Sequence, residues 1–207
     1  VQRFWTTRKQ TNWYSICTIN KAESSGDSIL LRYPNSFNNN AFNEYLMLEL
    51  LTPTGLWELD SKTSYYEEFD TKTYQKPGIR MIHVDSRLGT GKSTLVDGND
   101  IKGKHVYLIA SNTPSYSYKS GSRLRNKYDL CSVVPKNRDE RYQTKFPAIG
   151  NDGVLFQTGD TFKSNDYSFF FSKGTLHDES EIPFEINFID VNDEFATIEF
   201  KKIEKAN

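Results

Sequence analysis

Apolar residues along this chain come in short runs separated by clusters of Gly, Pro, Asn and Asp, and that texture is the signature of strands joined by turns. The runs are NWYSICTI, SILLRY, EYLMLELL, GIRMIHVD, KHVYLIAS, LCSVV, VLFQTG, YSFFFS, FEINFIDV and FATIEFKKI. Several are nearly continuous in apolar residues, which suits strands covered on both faces. The last two alternate instead. Phe184, Ile186, Phe188 and Asp190 fall on one face against Glu185, Asn187 and Ile189, and Ala196, Ile198 and Phe200 oppose Phe195, Thr197 and Glu199. With Asn192-Asp193-Glu194 between them, they predict an antiparallel hairpin that closes the domain.

EYLMLELL is ambiguous, because Glu, Leu and Met favour helix. It is cut short by Thr52-Pro53-Thr54-Gly55, so a buried strand is assigned. TGLWELDSKTSYYEEFD predicts one short helical turn with Asp60 or Ser61 as its cap, and FNNNAFN an Asn-rich loop. No internal repeat is visible. The expected fold is all-β, an antiparallel β-sandwich-like domain with long loops and at most a short helix. It spans residues 1–207 as a single unit, with a subdivision near residues 135–150 as the alternative.

The stretch HVDSRLGTGKSTLVDG resembles a phosphate-binding loop at Gly91, Lys92, Ser93 and Thr94. That loop requires a glycine five residues before Gly91 and a helix after Thr94. Ser86 occupies the first position, and Gly98, Asn99-Asp100 and Gly103 interrupt the second. Each glycine costs about 1 kcal/mol in a helix interior. A polar loop between strands is the expected structure.

Charge narrows the partners. With 26 Lys+Arg against 27 Asp+Glu, the net charge of −1 gives no field that favours nucleic acid. The basic piece with Lys119, Arg123, Arg125 and Lys127 reads as a solvated surface loop. No apolar run approaches the roughly 18 residues of a membrane span, and no signal peptide opens the chain. The first residue is Val1, so a piece of a longer polypeptide is expected. Cys17 and Cys131 lack zinc-site spacing; both fall in apolar runs and are expected to be buried thiols, with a disulfide as the alternative.

Candidate chemistry is sparse. His83, His105 and His177 have no partner histidine at helical metal-site spacing. A Ser93, His83, Asp85 triad can be drawn, but nothing marks an exposed nucleophile elbow, so structural histidines are expected. Asp97, Asn99 and Asp100 form one oxygen-rich cluster, and Asn151, Asp152 and Asp160 another; these are the candidate calcium ligands, with metal-free turns as the competing account. Aromatic residues make up 14% of the chain. Trp57, Tyr65 and Tyr66 are the candidate glycan-stacking residues, against the alternative that a β core consumes them.

Two blocks carry a family resemblance. Glu44, Tyr45, Leu46, Leu48 and Glu49 match a strand of the form E-Y-[LF]-L-[LIV]-E, and Pro77, Gly78, Ile79, His83, Val84 and Asp85 match a turn and strand ending in H-[IV]-D. In scattered blocks along most of its length the chain resembles the region after the catalytic domain of secreted bacterial zinc metallopeptidases of the immune inhibitor A type. It departs from them at Leu50-Leu51-Thr52 and at Arg80, which stands where the turn has a second glycine. The resemblance implies a non-catalytic, extracellular or cell-surface module whose partner is an upstream peptidase domain of the same polypeptide, with a protein or glycoprotein substrate. The family's H-E-x-x-H helix has no counterpart here, so no catalytic residue and no cofactor beyond the candidate calcium is expected. A carbohydrate- or glycoprotein-binding module is the alternative.

Overall fold

The computed structural model describes residues 3–5, 14–32, 42–64, 72–90, 94–96, 107–108, 110, 129–139 and 150–203. Its strands are β1 (Arg3–Trp5), β2 (Tyr14–Asn20), β3 (Ile29–Arg32), β4 (Glu44–Leu51), β5 (Gly78–Asp85), β6 (Leu88–Thr90), β7 (Thr94–Val96), β8 (Tyr107–Leu108), β9 (Cys131–Val133), β10 (Thr161–Phe162), β11 (Phe184–Val191) and β12 (Phe195–Lys202). The first sheet runs β1-β3-β4-β5-β9 and the second β10-β11-β12-β2, with a small third sheet β7-β6-β8. Pairing is antiparallel except where β1 runs parallel to β3. The all-β expectation holds.

The inner faces of the two large sheets share one core. Leu46, Leu48 and Leu50 of β4 and Ile79 and Met81 of β5 meet Ile186 and Phe188 of β11 and Ala196, Ile198 and Phe200 of β12. Phe156 lies at its centre, stacked on Phe188 at 4.8 Å and edge-on to Phe162. Along β4 burial alternates so strictly that Glu44 shares the inner face with its leucines. EYLMLELL is therefore a strand despite its helix-forming residues, because the period-2 pattern buries them on a sheet.

Several expectations are corrected. YSFFFS is not a strand: Ser164–Tyr167 and Ser172–Gly174 are 3₁₀ turns, and Phe170 and Phe171 both donate their N–H to Tyr167 O. The compact turn sends Tyr167, Phe170 and Phe171 into the core together, which alternation on a strand could not do. VLFQTG makes only a single bridge, Phe156 to Ile79. The closing hairpin forms as expected, and Asn192 Oδ1 accepts the N–H groups of Glu194 and Phe195 in its turn. A bulge between Phe188 and Asp190, however, turns Val191 inward in place of Asp190 and leaves Ile189 half exposed.

There are two short helices, α1 (Ala22–Ser25) and α2 (Glu58–Lys62). α2 continues from a 3₁₀ turn at Gly55–Trp57, so Asp60 and Ser61 lie within it and cap nothing at its start. Cys17 is buried and Cys131 is exposed on the edge strand β9, and neither forms a disulfide. No helix among the described residues is long and apolar enough to cross a membrane.

Two predictions follow from this packing. A Cβ on Gly78 would lie 2.5 Å from Leu155 Cβ, so Gly78→Ala is expected to cost about 1–3 kcal/mol in urea unfolding. Burial pushes the Tyr167 phenol up to about 12. Its stabilising share is complete below about 10, the free phenol value, and is lost as pH rises through the folded value. Tyr167→Phe should accordingly lose less stability than wild type between those two pH values.

Candidate functional site

At one end of the β4–β5 ladder the apolar inner face gives way to charge. Successive rungs pair Leu50 with Ile79, Leu48 with Met81, Leu46 with His83 and Glu44 with Asp85. The last rung sets two carboxylates directly opposite each other, an arrangement that is repulsive by itself. Both are 0% exposed and His83 is 1% exposed. Buried charge of this kind must be met by partners.

Those partners arrive from two directions. The turn after β5 brings Arg87 back, with Nε and Nη2 each 2.8 Å from the Asp85 carboxylate and Nε 3.7 Å from Glu44 Oε2. From the other side comes a narrow loop, residues 175–181, closed by a Thr175–Glu181 bridge and anchored by buried Leu176 and Ile182. Asp178 accepts from the N–H and hydroxyl of Ser180, and Glu179 adopts a left-handed φ of 66° to complete the bend. The loop tip points its backbone at Glu44: His177 N–H donates to Oε1 at 2.5 Å and Asp178 N–H to Oε2 at 2.9 Å.

The two imidazoles complete the cluster. His83 Nε2 lies 2.7 Å from Glu44 Oε1, and His177 Nδ1 lies 3.1 Å from Asp85 Oδ2 and 3.7 Å from Glu44 Oε1. The rings meet edge to face at 4.5 Å, with Phe171 against His83 at 5.6 Å. His83 Nδ1 is buried and has no hydrogen-bond partner. On β9, Ser132 stands directly opposite His83, and its buried hydroxyl also lacks a partner.

Electrostatics follow the geometry. Burial pushes Asp85 upward, but hydrogen bonds from Arg87 and His177 outweigh it and hold the carboxyl far below its ordinary range. Burial likewise opposes the charge on Arg87, yet Asp85, Glu44 and Asp178 raise its pKa above the usual value. Asp129 is raised by burial against the pull of His177 and His83. Glu44, His83 and His177 each present a ligand atom within 4.8 Å of the others, and they are the metal-capable group of three among the described residues.

The sequence-predicted residues fare unevenly. Glu44, His83 and Asp85 converge in this cluster. Glu49 pairs with Arg80 across β4 and β5, Tyr45 sits opposite Val84, and Gly78 opens β5 beneath Leu155. Asn151 Oδ1 caps Gly153 N–H, Asp152 Oδ1 accepts the N–H groups of Gln75 and Lys76, and Asp160 Oδ2 accepts from Gln157 N–H and pairs with Lys136. Asn151 and Asp160 thus stabilise local turns, whereas Asp152 ties its turn to the segment before β5. Asp97, Asn99, Asp100, Tyr65, Tyr66, Ser93 and His105 lie outside the described residues. Trp57 is engaged edge-on by Tyr74 at 6.4 Å and by the Arg80 guanidinium at 5.3 Å, not laid open as a platform. Thr94 begins a strand paired with β6, so the strand-loop-helix order of a phosphate loop is absent there.

His177, Arg87, Asp129 and Ser132 were not anticipated as site residues. The available signal was phase: Glu44, His83 and Asp85 occupy the same alternating set as the core aliphatics of their strands. No family model, curated protein or solved structure matches the chain.

Removing Arg87 leaves the Asp85 carboxylate buried beside Glu44 with its main cation gone. Arg87→Met is expected to lower stability by about 3–5 kcal/mol in chemical denaturation, well beyond the effect of a surface arginine.

Proposed function

We propose that the chain is a non-catalytic accessory module of an extracellular zinc metallopeptidase, supporting a catalytic domain of the same polypeptide or binding its protein or glycoprotein substrate. The observation that carries this reading is the employment of the residues behind the resemblance. Glu44, His83 and Asp85 fasten the first sheet to the 175–181 loop, Glu49 and Arg80 bridge its strands, and Gly78 admits Leu155. Each does structural work in building one sandwich.

The cluster's geometry supports the same reading. A general base must lie within hydrogen-bond reach of a substrate proton. His83 is enclosed, and its Nε2 is spent on Glu44. His177 is held by Asp85 through Nδ1. Such contacts preserve a shape, as a rigid module beside a peptidase domain requires.

A peptide-cleavage assay on the isolated chain with added zinc is expected to show no turnover. Turnover that survives purification and is abolished by Glu44→Gln would overturn the proposal. Glycan binding lost in Trp57→Ala would replace it with the carbohydrate-binding alternative.

A further inference from the structure

We infer that Glu44, His83 and His177 form a binding site for one divalent transition-metal ion of the zinc class. Two imidazoles and carboxylate oxygen suit zinc and its neighbours better than calcium or magnesium, which take oxygen alone. Ligand atoms about 2.0–2.1 Å from a tetrahedral ion stand roughly 3.3 Å apart. Glu44 Oε1 is 2.7 Å from His83 Nε2 and 3.7 Å from His177 Nδ1. The spacings bracket the required value, and all three primary donor atoms lie within 4.8 Å.

Charge points the same way. Glu44 and Asp85 are fully buried on one rung, and the Arg87 guanidinium meets both of them. A divalent cation on Glu44 relieves the repulsion across that rung.

The surroundings are those of a supported metal site. Asp85 stays on the Arg87 guanidinium through both of its oxygens, and Glu44 Oε2 stays on Asp178 N–H while Oε1 turns to the ion. Once His83 binds through Nε2, its proton resides on Nδ1, the atom that now has no partner. Ser132 stands opposite it on β9 and is equally unpartnered; the two are not bonded to each other here, and a side-chain rotation on metal binding would join them in the outer contact by which metal-bound histidines are oriented. His177, whose side chain keeps 10% of its exposure, is the ligand nearest solvent. Any proton on His83 Nε2 or His177 Nδ1 leaves for solvent as the metal binds.

The test is a cobalt(II) titration of the chelator-treated chain, followed by visible absorption, with zinc as competitor. Saturation at one ion per chain with bands of tetrahedral type is expected, as is displacement by zinc. His177→Gln should abolish binding and His105→Gln should retain it. Ser132→Ala should weaken affinity about tenfold to a hundredfold. Should His83→Gln fail to fold, imidazole NMR of the wild type replaces it, with both the His83 and the His177 rings expected to shift on zinc addition. Absence of saturable binding, binding unchanged in His177→Gln, or a shift of only one ring overturns the inference. A chain that takes up no metal leaves the accessory-module proposal standing, whereas peptide turnover defeats that proposal and not this one.

Discussion

Two carboxylates share a buried rung of the β4–β5 ladder, and much of the molecule is arranged around that fact. Glu44 and Asp85 face each other where the aliphatic rungs end, inside a site from which water is excluded. Left alone they would repel across a medium that screens poorly. The fold answers with a guanidinium, two imidazoles and two backbone N–H groups, contributed by segments far apart in sequence.

This requirement couples the sheet to the loop that covers it. Residues 175–181 have little apolar surface of their own beyond Leu176, yet their tip is held where the Glu44 carboxylate accepts two successive N–H groups. Just before the loop, the 3₁₀ turns drive Tyr167, Phe170 and Phe171 between the sheets, and Phe171 touches the ring of His83. Aromatic packing and ionic pairing therefore position the same stretch of chain. Hydrophobic burial supplies most of the driving force, while the charges select which loop conformation closes the end of the sandwich.

Much of the architecture was legible because strand alternation is a local property. The closing hairpin could be read from residues two apart, β5 from its apolar run, and the strand at EYLMLELL from its length and its Thr-Pro-Thr-Gly stop. Where local pattern misled, a specific contact intervened. The aromatics of YSFFFS look like a buried strand, but their i, i+3 and i+4 placement across the turn between two 3₁₀ segments buries three rings at once. Beyond Ile189 a single bulge reversed the expected faces, turning Val191 and not Asp190 inward, and nothing in FEINFIDV announces it.

The sequence by itself determined that this chain forms sheets and that Glu44, His83 and Asp85 lie in phase with core residues, because a strand's period of two depends only on neighbouring residues. It could not reveal that His177, Arg87 and Ser132 meet them. Those juxtapositions arise from antiparallel register and from a loop returning after more than ninety residues, and short side chains interact only within a few ångströms. Tertiary structure decided that three scattered polar positions become one buried cluster, since only the completed sandwich removes the water that would otherwise have solvated each separately.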